Sequence, residues 1–137
     1  MKLIRVITTV ERTAIENLQG MVQVSNTEVK IPSSIEWEAI AIKPHARLTC
    51  EDRIEDGIVV WTTTLSFKTC EELSVKGRYA YRCRLNNGEY LLVGTNNRPY
   101  PITKYVETMP ENITDNQLTE VSVTWISAYI VPHVRQL

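Results

Sequence analysis

Two-residue alternation, written most clearly between Arg78 and Thr95, is the feature that most constrains this chain. Tyr79, Tyr81, Cys83 and Leu85 alternate with Ala80, Arg82 and Arg84. Side chains of a strand point to opposite faces at each step, so this is a strand with one apolar face and one wet face. Asn86, Asn87 and Gly88 follow. These residue types tolerate the positive φ of a tight hairpin turn. The return strand, Glu89 to Val93, holds the unbroken apolar run Tyr90-Leu91-Leu92-Val93, which predicts cover on both faces.

A second hairpin is predicted from Ala46 to Phe67, turning at Asp56-Gly57. Ala46, Leu48, Cys50 and Ile54 share one face of its first arm, and Val59, Trp61, Leu65 and Phe67 face inward from its second. Thr62, Thr64 and Ser66 are expected to face water, as β-branched residues on a solvated strand do. Further strands are expected over Leu3 to Val10, Met21 to Val24, Val29 to Ile31, Ile35 to Ile42, Ile102 to Val106 and Glu120 to Val131. The apolar phase shifts between Trp37 and Ile40, so a bulge is expected near Ala39. A slight helical rhythm covers Thr13 to Leu18.

Strands joined by short turns pair antiparallel and must bury one face. The expected fold is therefore all-β, an antiparallel sandwich or barrel of roughly eight or nine strands with little helix. At 137 residues, residues 1–137 are expected to form a single β domain with a real core.

Composition narrows the partners. The formal net charge of -1 lacks the basic surplus that phosphate backbones select, so nucleic acid is not the expected partner. Lys76-Gly77-Arg78-Tyr79-Ala80-Tyr81 approaches an RNA-recognition strand motif, but Arg78 breaks the match and the interleaved helices are missing. The N-terminus has no uninterrupted apolar core of the secretory kind, and no apolar run approaches the ~20 residues of a membrane-spanning helix. A cytoplasmic or virion location is expected, without signal peptide, transmembrane segment or membrane partner.

No residue pattern collects chemistry. Cys50, Cys70 and Cys83 are odd in number and widely spaced, unlike a disulfide framework. With His45 they could supply four zinc ligands, but no close ligand pair is present, and buried cysteines serve as small hydrophobes. His45 and His133 lack a nucleophile motif. Glu36 and Glu38 share a strand face, as do Glu51 and Arg53, which is ordinary for a solvated face. No catalytic residue, metal ligand or cofactor is assigned, and the chain is expected not to be an enzyme.

One stretch carries a resemblance. Tyr90-Leu91-Leu92-Val93-Gly94-Thr95, then Asn96-Asn97-Arg98-Pro99-Tyr100-Pro101, then a long closing strand from Leu118 to Val131 ending at Pro132, resembles small structural proteins encoded in prophages of gut bacteria, in tail or neck gene neighbourhoods. The resemblance spans the C-terminal half and contains no catalytic motif. It implies an all-β subunit that assembles with itself or with other structural proteins. Strand edges and the arm from Asn96 to Tyr105 are the expected contacts, with Arg98, Tyr100 and Tyr105 as candidate interface residues. The alternative is a β-barrel or sandwich module binding oligosaccharide or single-stranded nucleic acid. That reading expects an exposed cluster among Trp37, Trp61, Trp125 and the tyrosines.

Overall fold

The computed structural model describes residues 7–25, 28–32, 34–43, 46–70, 77–95, 99–108, 118–127 and 133–136. They form two packed sheets, neither closed on itself, so the fold is an all-β sandwich and not a barrel. The strands are β1 (Ile7–Ala14), β2 (Val22–Gln23), β3 (Glu28–Ile31), β4 (Glu38–Ile40), β5 (Arg47–Glu55), β6 (Ile58–Thr69), β7 (Tyr79–Leu85), β8 (Tyr90–Val93), β9 (Ile102–Thr108), β10 (Leu118–Ser127) and β11 (His133–Gln136). A single 3₁₀ turn at Ile15–Leu18 is the structure behind the helical rhythm there. The described strands exceed the expected count; β2 falls within the strand expected from Met21 to Val24, whereas β11, beyond Pro132, was not expected.

One sheet runs β2-β3-β11-β8-β7-β1-β4 and the other β5-β6-β10-β9. Pairing is antiparallel except between β3 and β11. β11 meets β8 at one residue pair, His133 with Leu91. The chain crosses between the sheets after β4, β6, β8 and β10. The first crossing is tied down where the Lys43 N–H donates to the Lys68 carbonyl at 2.8 Å and the Thr69 hydroxyl donates to the Ala41 carbonyl at 2.6 Å.

The main core lies between the sheets. Val10, Ile40, Tyr81, Cys83, Leu91 and Val93 meet Leu65, Phe67, Val121, Val123 and Trp125 there. Leu65 is fully buried, so Leu65→Ala would cost about 2–5 kcal/mol in lost transfer energy and cavity formation. A second core sits on the opposite face of the larger sheet, where Ile15, Leu18, Val29 and Ile31 cover Ala80 and Leu92.

Two cores explain two sequence patterns. In β8, Leu91 and Val93 enter the main core while Leu92 enters the second, so the run is covered on both faces as expected. The phase shift after Trp37 has the same origin. Ile35 and Trp37 pack on the second core, and Ile40 and Ile42 on the main one. The chain changes cores there. Only Glu38–Ile40 pairs as a strand, in unbroken register with β1, so no bulge is needed at Ala39.

The Asn-Gly hairpin closes around the three residues Asn86, Asn87 and Gly88, as expected. The Gly88 N–H donates to the Leu85 carbonyl, and the Leu85 N–H to the Glu89 carbonyl. Gly88 alone takes positive φ, at 88°, which is the geometry of a turn followed by a bulge. Asp56 and Gly57 are both at positive φ, 50° and 78°, and make the two-residue turn expected between β5 and β6.

Candidate functional site

Three features stand out from the two cores: a buried and a half-buried arginine, a cleft beside Tyr100, and a hairpin that overhangs the sandwich.

Arg12 lies on the inward face of β1 beside Val10, a polar residue at a core position. Its Nε donates to Glu38 Oε2 at 2.8 Å, its Nη1 donates to the Tyr105 hydroxyl at 3.3 Å, and its guanidinium sits 4.1 Å from the centre of the Tyr79 ring. Its side chain is 1% exposed. Burial works to lower its pKa, and the Glu38 hydrogen bond and charge more than reverse this, so the pKa is raised. The group stays a cation. It joins β1 and β4 of one sheet to β9 of the other.

Arg82 occupies the opposite face of the same sheet. Its guanidinium lies 4.5 Å from the Trp37 ring centre and 4.7 Å from that of Tyr90, and its Nη2 donates to both oxygens of Glu11 at 2.9 and 3.0 Å. Stacking between two rings suits the flat, weakly hydrated guanidinium. Trp37 and Tyr90 are half-buried, whereas Trp125 is 3% exposed and donates through Nε1 to the Pro99 carbonyl. Trp61 is half-buried in β6. The expected aromatic cluster is thus reduced to Trp37 and Tyr90, with an arginine of the chain itself between them.

Of the candidate interface residues, Arg98 lies outside the described residues. Tyr100 is half-buried against the second core, with the Arg78 guanidinium 5.0 Å from its ring centre. It lines an open cleft of about 600 Å³ with Arg78, Pro99, Pro101 and Ile102. Tyr105 points inward, packs against the main core and accepts the Arg12 hydrogen bond. Tyr100 and Tyr105 therefore attach to different cores.

The β5–β6 hairpin carries the correction that matters most. Ile54 and Val59 were expected to face inward. They do lie on the inward side of the ribbon, but the ribbon runs past the end of the facing sheet, and every residue from Glu51 to Val59 is exposed. Ile54 is 78% exposed, Ile58 63% and Val59 46%. Alternation gives the face a side chain points to and is silent on where the opposite layer stops.

The reactive side chains are scattered. Cys83 is buried in the main core, where burial pushes its thiol up to about 12. Cys50 Sγ lies 3.2 Å from Thr63 Oγ1, and Cys70 is exposed. All three are free thiols. His133 is on β11, and His45 lies outside the described residues. Among the described residues no three His, Cys, Asp or Glu side chains group as metal ligands would, and no helix is long and apolar enough to cross a membrane. Comparison with known proteins finds no matching family model, curated protein or solved structure.

Sequence reasoning missed both arginine pairs. Arg12 lay beyond the expected end of the first strand at Val10, so its place on a core face went unread. Glu11 and Arg82 are far apart in sequence, and nothing local to either points to the other.

Proposed function

We propose that this chain is a non-enzymatic assembly subunit that works through contact with copies of itself or with other structural proteins. The observation that carries this reading is the overhanging hairpin, where the cross-strand pair Ile54 and Val59 is exposed on one face and Ile58 on the other. Scattered exposed aliphatics are normal, but an exposed aliphatic pair on a projecting ribbon, with a third aliphatic on its other face, supports an interaction surface. The two arginines drawn in from the surface are each held by a carboxylate of the chain: Arg12 by Glu38 and Arg82 by Glu11. The resemblance to prophage tail and neck proteins supplies a context in which such a subunit works, as part of a virion or of its cytoplasmic precursor.

Light scattering over a range of concentrations tests the reading. Masses at multiples of the protomer are expected. A monomer at every concentration, together with a gene placed among metabolic enzymes, overturns it.

A second reading draws on the half-buried Trp37 and Tyr90 rings: a module binding oligosaccharide or single-stranded nucleic acid. It predicts that either ligand quenches tryptophan fluorescence in the chain and fails to do so in Trp37→Leu.

A further inference from the structure

We propose that the free edge of β5 pairs antiparallel with β5 of a second copy, about a two-fold axis at Glu51, making one continuous sheet across both molecules. This rests on the assembly reading above and names its surface and partner.

β5 is an outer strand of its sheet. It runs nine residues in unbroken register with β6 from Arg47 to Glu55, with no proline or bulge. Edges of this kind are templates for another strand, and folds usually blunt them. Among the other described edges, β2 and β4 have only two and three residues, and β9 starts directly after Pro101. β5 itself carries Arg47, Glu51, Asp52, Arg53 and Glu55, charges that disfavour unlike partners but can pair by sign with a second copy.

The turn fixes which backbone groups face outward. Asp56 and Gly57 form a two-residue loop with both φ positive, closed by the pair Glu55 and Ile58. The pair closing such a loop is hydrogen-bonded, and bonded and non-bonded pairs then alternate. Arg47, Thr49, Glu51, Arg53 and Glu55 therefore bond to β6. Leu48, Cys50, Asp52 and Ile54 turn their N–H and C=O groups to the open side.

An antiparallel pair overlapping over the whole strand has its axis at the middle residue, Glu51. That register sets Arg47 opposite Glu55 of the second copy, Leu48 opposite Ile54, and Cys50 opposite Asp52, each twice. The ion pairs and the aliphatic pairs are both favourable cross-strand neighbours. Sliding by two residues one way sets Arg47 against Arg53, and the other way sets Asp52 against itself. The favoured register has one opposing element, Glu51 against Glu51, and Arg53 of the second copy lies diagonal to each of these carboxylates.

The overhang gains cover in the same arrangement. The tip of one hairpin runs beside the start of the other β5, so exposed Ile54 meets Leu48, which packs on the main core of the second copy.

The test uses Asp52→Cys in a Cys70→Ser background, treated with a mild oxidant. Facing Cα atoms of a bonded antiparallel pair lie about 5.5 Å apart, within disulfide reach. The expected product is a covalent dimer linked Cys50 to residue 52 of the second copy, found by peptide mass spectrometry and absent from Cys70→Ser alone. A link between two Cys50 residues, or between the two residues 52, overturns the register. No link in a protein that scatters as a dimer overturns the β5 interface and leaves the assembly reading standing. A monomer overturns the interface and the self-association form of that reading together.

A second variant guards against misfolding. In Asp52→Pro the lost N–H faces away from β6, so the fold is retained, and the dimer weakens about tenfold or more. Undiminished dimerisation of a folded Asp52→Pro chain overturns the proposal. Glu51→Gln, which removes the like-charge pair at the axis, tightens the dimer; weakening overturns the register.

Discussion

Glu38→Ala tests whether a half-exposed carboxylate governs a buried cation. The Arg12 side chain is 1% exposed and that of Glu38 is 54% exposed, at 2.8 Å between Nε and Oε2. Charges about 4 Å apart attract by about 1 kcal/mol in water and about 4 kcal/mol at an effective dielectric constant near 20. Glu38 stands between those limits, which gives about 2 kcal/mol. Removing it leaves a guanidinium in the core with the Tyr105 hydroxyl and Tyr79 ring as partial compensation. The expected loss is about 2–3 kcal/mol, below the range for a fully buried pair because water reaches the vacated side. Arg12→Met keeps most of the packing and removes the buried charge, so it is expected to cost about 1 kcal/mol, chiefly the stacking on Tyr79. With Arg12 absent, removing Glu38 exposes nothing, so the double variant should cost about as much as Arg12→Met alone. Urea unfolding of the four proteins measures this, with equal m-values as the two-state check. The reasoning is refuted if Glu38→Ala costs under about 0.5 kcal/mol or if the two losses simply add.

Four further outcomes are expected. Gly94 takes φ of 108°, and an added Cβ would lie 2.5 Å from Pro101 Cγ; Gly94→Ala should lose about 2–4 kcal/mol in thermal unfolding, whereas Gly57→Ala, with nothing within 4 Å, should lose only the backbone strain of about 1–2 kcal/mol. Burial pushes the Cys83 thiol up to about 12, and burial also raises Tyr81. Both hold protons that the unfolded chain releases at its lower, ordinary values, so stability is full below about 8.5 and falls as pH rises toward about 12; Cys83→Val should flatten that fall in urea titrations. At neutral pH a thiol reagent should modify exposed Cys70 and spare Cys83 until the protein unfolds. Ile54→Ser, at a side chain 78% exposed, should leave the melting temperature of the monomer unchanged while reducing self-association in light scattering.

The all-β antiparallel character was legible because alternation is a local signal. The β7–β8 and β5–β6 hairpins could be read from period and turn residues, and cover on both faces of β8 followed from Tyr90-Leu91-Leu92-Val93 alone. What could not be read is set by distant parts of the chain. Sandwich or barrel depends on whether edge strands meet, and β4 and β9 end in different sheets. The shift at Trp37 looked like a bulge because one strand with an extra residue and one chain changing cores leave the same pattern. Ile54 and Val59 looked buried because the end of the facing layer is not encoded in the strand it fails to cover. The Arg12 site rests on contacts with Glu38, Tyr79 and Tyr105, from three other strands, and no spacing joins them. Of the candidate contact residues, Tyr100 does line a surface cleft, while Tyr105 was drawn inward by Arg12.

The two halves of the β5–β6 hairpin answer to different demands. Its lower part is held by folding: Leu65, Phe67 and Thr63 are buried, and Leu48 packs on the main core. Beyond Trp61 the ladder with β6 continues in unbroken register to Glu55 and Ile58, yet apart from half-buried Val60 its side chains are exposed. An isolated two-stranded ribbon is marginal in water, so extending it past the sandwich adds ordering cost without core burial. A shorter hairpin ending near Asp52 and Trp61 would satisfy the monomer equally well. The extra length, with aliphatic side chains at its tip and no proline along β5, gains burial in the proposed pairing. A second copy supplies a matching edge, opposite charges at both ends of the strand and Leu48 for Ile54 in one register. The part of the chain that folding needs least is therefore the part on which the proposed assembly rests.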